Sequence, residues 1–304
     1  MNLCIIIVGL IRTFFDKGYD SLKKILNLSL NIYKKIHIIC IISGEYNKNL
    51  VLDFIIQMKM LNISIEQYDF NINETQDAYN LKINNDFFLL KKNEYLNKNN
   101  YAIKEINNPE IFIKNGACQF YQLSMGIEKM KNYEINNNIV FNVCMKTRFD
   151  INYPNNFYPF IHNNDASILD KIYFNKENKF FFDNIINDID TLIRFLKNEK
   201  IKLPECRTPY FKYSFGGSYL NNYISLENIK NGFNNILYMY NDHIIFGSRE
   251  QFIKLSYLYD NYGIMDTSLN INHYYAQEAQ LLIFCFNYNI NPIMYLHDCY
   301  SIIR

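Results

Sequence analysis

Apolar positions along this chain follow two periods, and the switches between them mark out its elements. LCIIIVGL, residues 3–10, is an unbroken apolar run, the pattern of a strand covered on both faces. In the DKGYDSLKKILNLSLNIYKK that follows, Leu22, Ile25, Leu26 and Tyr33 recur at helical spacing, with Asp20 or Ser21 near the start as a cap. IHIICIIS repeats the buried-strand pattern, NLVLDFIIQMKML reads as a helix and ISIEQYDF as a third strand. The β-α-β-α-β order implies a parallel sheet with right-handed crossovers.

From about Asn71 to Asn115 the rhythm breaks into Asn-, Lys- and Asp-rich sequence, expected to be an insertion or mobile loop with short helical pieces. The helix GACQFYQLSMGIEKMK then presents Phe120, Leu123, Ile127 and Met130 on one face, and the strand Val140–Met145 follows. After Asp150 come a Pro/Asn-punctuated loop, one or two strands in ASILDKIYFN, and a helix with Ile185, Ile189, Leu192 and Leu196 on one face. ILYMYNDHIIFGS reads as a strand, REQFIKLSYLYDNY and HYYAQEAQLLIFCFNYN as helices, and PIMYLHDCYSIIR as a closing strand. No internal repeat is visible.

Length and composition narrow the class. At 304 residues, a single α/β domain or two closely packed halves are expected. A formal charge of +1 offers no field to attract nucleic acid or an anionic membrane. The abundance of Asn, Ile, Tyr, Phe and Lys, with no Trp, is what AT-rich codons encode and reports on the genome; large DNA viruses and low-GC bacteria or parasites both fit. The seven cysteines include no C-x-x-C pair and most stand in apolar runs, as expected of reduced, buried thiols rather than a zinc site. No run reaches the roughly 18 apolar residues of a membrane span. The apolar start lacks a basic leader and a cleavage site, so a cytoplasmic protein is expected, in the host cytoplasm if viral.

The densest chemistry lies in KTRFD, where a core strand ends on Lys146, Arg148 and Asp150. Residues two apart on a strand share a side, and ligands of open α/β sheets bind at the carboxyl edge. A carboxylate there can hold a hard divalent ion, and a guanidinium can meet phosphate oxygens with a planar fork. The plainer alternative is that Asp150 caps a turn and Arg148 makes a surface pair.

KTRFD, the opening IIIVGLIRTF, NDHIIFGS and the ending YSIIR together resemble GT-A-type glycosyltransferases, closest to the WavE-like lipopolysaccharide and capsule enzymes also found in large DNA viruses. The resemblance implies a GT-A-like α/β fold with a mixed, mainly parallel sheet flanked by helices. It would form a single domain over 1–304, with residues 1 to about 150 binding the nucleotide and about 151–304 the acceptor. In that family an Asp-x-Asp motif ends a central strand and holds the metal that bridges the donor diphosphate. Here Arg148 replaces the first acid, so only Asp150 carries over as a ligand for Mn²⁺ or Mg²⁺. The implied reaction moves a sugar from a nucleotide-diphosphate donor, a UDP-sugar, to a hydroxyl acceptor on a glycan.

The remaining candidates follow. Gly9, Arg12 and Thr13 come after the first strand, where a GT-A fold meets the nucleotide; a plain β-to-α turn with an exposed arginine reads equally well. Gln119 and Gln122 lie one turn apart on the helix before Asp150, and a solvated flank is the expectation for them over donor contact. The resemblance places a carboxylate such as Asp242 near the acceptor as general base, with turn capping as the alternative. Glu278 is a second base candidate, with a structural ion pair as its alternative. A late His or Asp serves many GT-A enzymes as an extra metal ligand, a role for His297 or Asp298, and Arg304 is placed to meet phosphate. Two rivals stand beside this reading: a catalytically inactive relative that binds nucleotide or glycan, and an interaction module of a viral particle. A nucleotidyltransferase or phosphotransfer enzyme would need a phosphate-cradling Gly-rich loop or a second clustered carboxylate, and neither is present.

Overall fold

The computed structural model describes residues 1–11, 14–31, 33–70, 72–98, 109–153, 236–240, 242–265, 277–294 and 301–302. The first strand is β1 (Asn2–Leu10), and Leu3–Val8 are all buried, as its unbroken apolar run demands. A single π-helical turn (Phe14–Gly18) leads into α1 (Tyr19–Leu30), followed by β2 (Lys35–Ser43), α2 (Lys48–Met60) and β3 (Ser64–Phe70). Next come α3 (Ile72–Ile83), α4 (Asp86–Lys98), the long α5 (Pro109–Asn137), β4 (Val143–Arg148) and the short β5 (Ile151–Asn152). After residue 235 lie β6 (Ile236–Tyr240), β7 (Ile244–Ser248), α6 (Arg249–Lys254), a 3₁₀ turn, and α7 (Leu258–Asn261). The chain closes with α8 (Gln277–Asn287), β8 (Asn291–Met294) and β9 (Ser301–Ile302).

Seven strands form one mixed sheet in the order β3-β2-β1-β4-β7-β6-β8. β7 alone runs against its neighbours; the other described pairings in this sheet are parallel. The fold is therefore α/β and Rossmann-like. The chain steps outward from β1 to β3 and then returns through α5 to β4 on the other side of β1. With right-handed crossovers this puts α1 and α2 on one face and α5 on the opposite one. Gly126 lets α5 sit directly on β1, for a Cβ there would stand 2.5 Å from Ile6 Cγ2. The strand order reverses between β1 and β4, the kind of switch point at whose carboxyl edge open α/β sheets bind ligands.

Three expectations change. The supposed loop of 71–115 is largely helical: α3 and α4 fill most of it, and α5 begins at Pro109. Its helical pattern is weak, because among its described residues buried side chains such as Ala78, Tyr79 and Phe88 alternate with exposed ones that include Leu81 and Phe87. The single strand read in ILYMYNDHIIFGS is two, β6 and β7, paired antiparallel from Tyr240 opposite Ile244. The closing strand is likewise two, in different sheets, because β9 pairs with β5 instead. The helix face of Phe120, Leu123, Ile127 and Met130 is buried as expected. Cys4, Cys40, Cys118, Cys144 and Cys285 are buried and form no disulfide among the described residues. The elements expected between residues 154 and 235 lie outside the described residues. Among the described residues no helix is long and apolar enough to cross a membrane.

Candidate functional site

The carboxyl end of β4 carries the site's charges, and alternation along the strand sorts them. Thr147 and Phe149 turn to one side: Thr147 Oγ1 bonds the Tyr153 hydroxyl, and Phe149 packs edge-on against Phe14 at 5.3 Å. Tyr153 N–H donates to Ser21 Oγ at 2.6 Å, tying the loop after β4 to α1. Lys146 and Arg148 turn to the other side. Arg148 meets Asp150 in a planar fork, with Nε donating to Oδ1 at 2.9 Å and Nη2 to Oδ2 at 2.6 Å. Lys146 is fully buried, and its Nζ donates to the backbone carbonyl of Asp242.

Asp242 enters at the β6–β7 reversal, which the antiparallel pairing of β7 brings beside the end of β4. Its side chain is sealed, at 1% exposure. Oδ2 accepts from Gln119 Nε2 at 2.7 Å, and the same amide donates to the Asp242 carbonyl at 3.0 Å. With its amide oriented to match its neighbours, Gln277 also donates to Oδ2 at 3.0 Å while accepting from Gly116 N–H. Oδ1 makes no hydrogen bond among the described residues; the His243 ring stands 3.5 Å away. Burial pushes the Asp242 carboxyl up, but His243, Lys146 and Arg148, with the Gln119 amide, outweigh it and hold it below the ordinary value. His243 is lowered, first by its own burial and further by Arg148 and Lys146, while Asp242 opposes.

At the carboxyl ends of β1, β2 and β4, beside α5, lies a cleft of about 740 Å³. Its lining includes Val8, Gly9 and Leu10 of β1, the Arg148–Asp150 pair, and Gln119 and Gln122 of α5. Gly9 has φ +110°, a conformation that side chains rarely adopt, and nothing lies within 4 Å of where its Cβ would be. The backbone there is bare toward the cleft.

Of the residues singled out from the sequence, Gly9, Arg148 and Asp150 line one cleft, with Lys146 and Asp242 behind its wall. Arg12, Thr13, His297 and Arg304 lie outside the described residues. The Glu278 side chain does too, although its backbone follows Gln277, which lines the cleft. β9 pairs Ile302 with Ile151, next to Asp150, so the chain's end returns to the clamp. A general base must touch the proton it takes, and Asp242, the base candidate, is sealed in this structure with Oδ2 held by two amides. One reading needs correction. Gln119 and Gln122 are not a solvated flank: one is bonded to Asp242 and the other is buried at 5% exposure. Their only signal in the sequence was an i, i+3 pair of amides beside an apolar stripe. Gln277 carries no signal in the sequence beyond standing next to Glu278.

Among the described residues no three His, Cys, Asp or Glu side chains cluster to hold a metal. Asp150 nevertheless fits a role in holding a divalent ion. Arg148 occupies one lone pair on each of its oxygens, and the others have no partner among the described residues. Mg²⁺ in particular is commonly held by one or two carboxylates together with substrate phosphates. Compared with protein-family models, curated proteins and solved structures, the chain matches none.

Proposed function

We propose that this protein is a GT-A-like glycosyltransferase that moves a sugar from a nucleotide diphosphate, a UDP-sugar, to a hydroxyl acceptor on a glycan. One observation carries the reading: a guanidinium–carboxylate clamp and a bare glycine backbone line the same cleft, on neighbouring strands at the switch point of a mainly parallel sheet. The mixed sheet and the motif at the end of β4 agree with the GT-A resemblance of KTRFD.

In this reading Arg148 takes diphosphate oxygens, and the Gly9 backbone lets the donor approach closely. Lys146, held by the Asp242 carbonyl, adds fixed positive charge beneath. The four charges of Lys146, Arg148, Asp150 and Asp242 cancel, so a bound diphosphate calls for more positive charge. Mn²⁺ or Mg²⁺ on Asp150 would supply it, stabilising the departing diphosphate. Arg12, Arg304 and His297 are the further candidates the resemblance names. With Asp242 sealed, Glu278 becomes the base candidate for an inverting transfer.

The test is a thermal-shift screen of nucleotide sugars with and without Mn²⁺, followed by donor turnover. A donor at about 100 times its Kd stabilises the fold by about 2.7 kcal/mol. Asp150→Ala is expected to abolish metal-dependent turnover while leaving the melting profile of the free protein cooperative. Full activity in that variant would refute the assignment. The Arg148–Asp150 fork, standing where the family has two acids, favours one second reading, an inactive relative that binds donor without turning it over. Stabilisation by nucleotide without hydrolysis across a broad donor panel would establish that reading instead.

A further inference from the structure

We infer that Gln122 selects the transferred sugar, and that the sugar it fits is uncharged and polyhydroxylated. The inference rests on the nucleotide-sugar reading above and goes further by assigning the donor's sugar class and the residue that reads it. Three glutamines are buried among the described residues: Gln122, Gln251 and Gln280. Gln251 accepts from Lys254 Nζ at 2.7 Å, and Gln280 accepts from Gly263 N–H at 2.7 Å. Gln122 is different. It is nineteen-twentieths buried, it lines the cleft, and its side chain makes no hydrogen bond among the described residues. Its neighbour one turn earlier, Gln119, is committed to Asp242.

The amide atoms are not among the sealed, unpartnered ones, so they open into the cleft, where a ligand can complete their hydrogen bonds. An amide offers two N–H donors and a carbonyl acceptor, which match hydroxyls that both donate and accept. Its place is set by α5. Gly126, one turn on, sits against Ile6 and Ile41, which puts Gln122 over the carboxyl ends of β1 and β2. Val8, Gly9 and Ser43 line the same cleft, with open space above Gly9. A sugar carboxylate placed here would meet a neutral amide rather than a cation. Arg148 is engaged by Asp150 and the diphosphate, and Lys114, the other cation of the lining, is exposed. Burying an unpaired charge is far more costly than burying a hydroxyl.

The experiment is titration calorimetry of the full chain with UDP, UDP-glucose and UDP-glucuronate, on the native protein, Gln122→Met and Gln122→Asn. Methionine keeps the volume without the amide; asparagine keeps the amide but shortens its reach. UDP-glucose is expected to bind more tightly than UDP-glucuronate. Both variants should bind UDP-glucose roughly three- to tenfold more weakly, the worth of one or two ordinary hydrogen bonds, and UDP within about twofold of native. The free Gln122→Met protein should melt no lower than native, because it loses no internal bond. Equal affinity for the two sugar nucleotides, or unchanged UDP-glucose binding in Gln122→Met, would overturn the inference and leave the amide to solvent. An equal loss for UDP and UDP-glucose would make Gln122 a nucleotide contact and overturn it as well. If none of the three ligands binds the native protein, the donor reading fails and this inference with it.

Discussion

Protonating His37 should destabilise the fold as the solution is acidified from neutral pH, and the size of the effect follows from where the ring sits. His37 enters β2 almost fully buried, stacked on Tyr133 with ring centroids 3.6 Å apart. Its Nδ1 lies 2.7 Å from Ser64 Oγ. That hydroxyl donates to the Ile36 carbonyl and accepts from Tyr133, so it is free to accept the His37 Nδ1–H. Nε2 then carries a bare lone pair with no partner among the described residues. Charging the ring would put a second N–H into that unpartnered space. Burial accordingly lowers the pKa from 6.5 to about 4, only partly opposed by a backbone hydrogen bond at Ser64. The unfolded chain binds the proton more readily than the folded one between these values, so stability is complete above about pH 6.5 and falls as pH drops toward 4. At 1.36 kcal/mol per pH unit the loss is about 3 kcal/mol. His37→Asn removes the titration while keeping a polar group near Ser64. Urea unfolding of both proteins, followed by circular dichroism from pH 7.5 to 4, isolates the effect, because carboxylates and His243 titrate in both and cancel in the difference. The native protein's advantage over the variant should shrink by about 3 kcal/mol across that window. A difference that stays constant with pH would refute the reasoning.

The site and its scaffold make two further predictions. Gly126→Ala should lower stability by about 1–2 kcal/mol in chemical denaturation, because overpacking against the rigid Ile6 outweighs the helix propensity gained; a more stable variant would mean that α5 is not seated on β1 as described. Asp242→Asn should lower both stability, by about 1–3 kcal/mol, and donor turnover, because it removes the negative charge beside Lys146 and Arg148 and disturbs the Gln119 and Gln277 bonds. Native stability with turnover abolished would restore Asp242 as the base.

Much of the architecture was legible in local pattern. The runs in β1 and β2 could only be strands covered on both faces, and their alternation with helices required parallel pairing. The packed α5 face of Phe120, Leu123, Ile127 and Met130 was visible in its 3.6-residue spacing. KTRFD announced charge at a strand end, because a strand's period places residues two apart on one side. These are short-range consequences of backbone geometry and are written within a few residues of one another.

What the tertiary structure alone decided is which distant groups meet. Asp242 stands 96 residues after Lys146, and only the antiparallel pairing of β7 with β4 carries its carbonyl to that ammonium. Gln119 looked like surface because its neighbours in sequence do not reveal Asp242, 123 residues on, at 2.7 Å. The hairpin of β6 and β7 was hidden for a related reason, since a polar turn of a few residues between apolar runs does not say whether the chain continues or reverses. Polarity along the chain tells whether a side chain can afford solvent; whether a buried amide is satisfied depends on partners that the fold brings from elsewhere. By that measure Gln119 is bonded to Asp242, while Gln122, one turn away, lines the cleft.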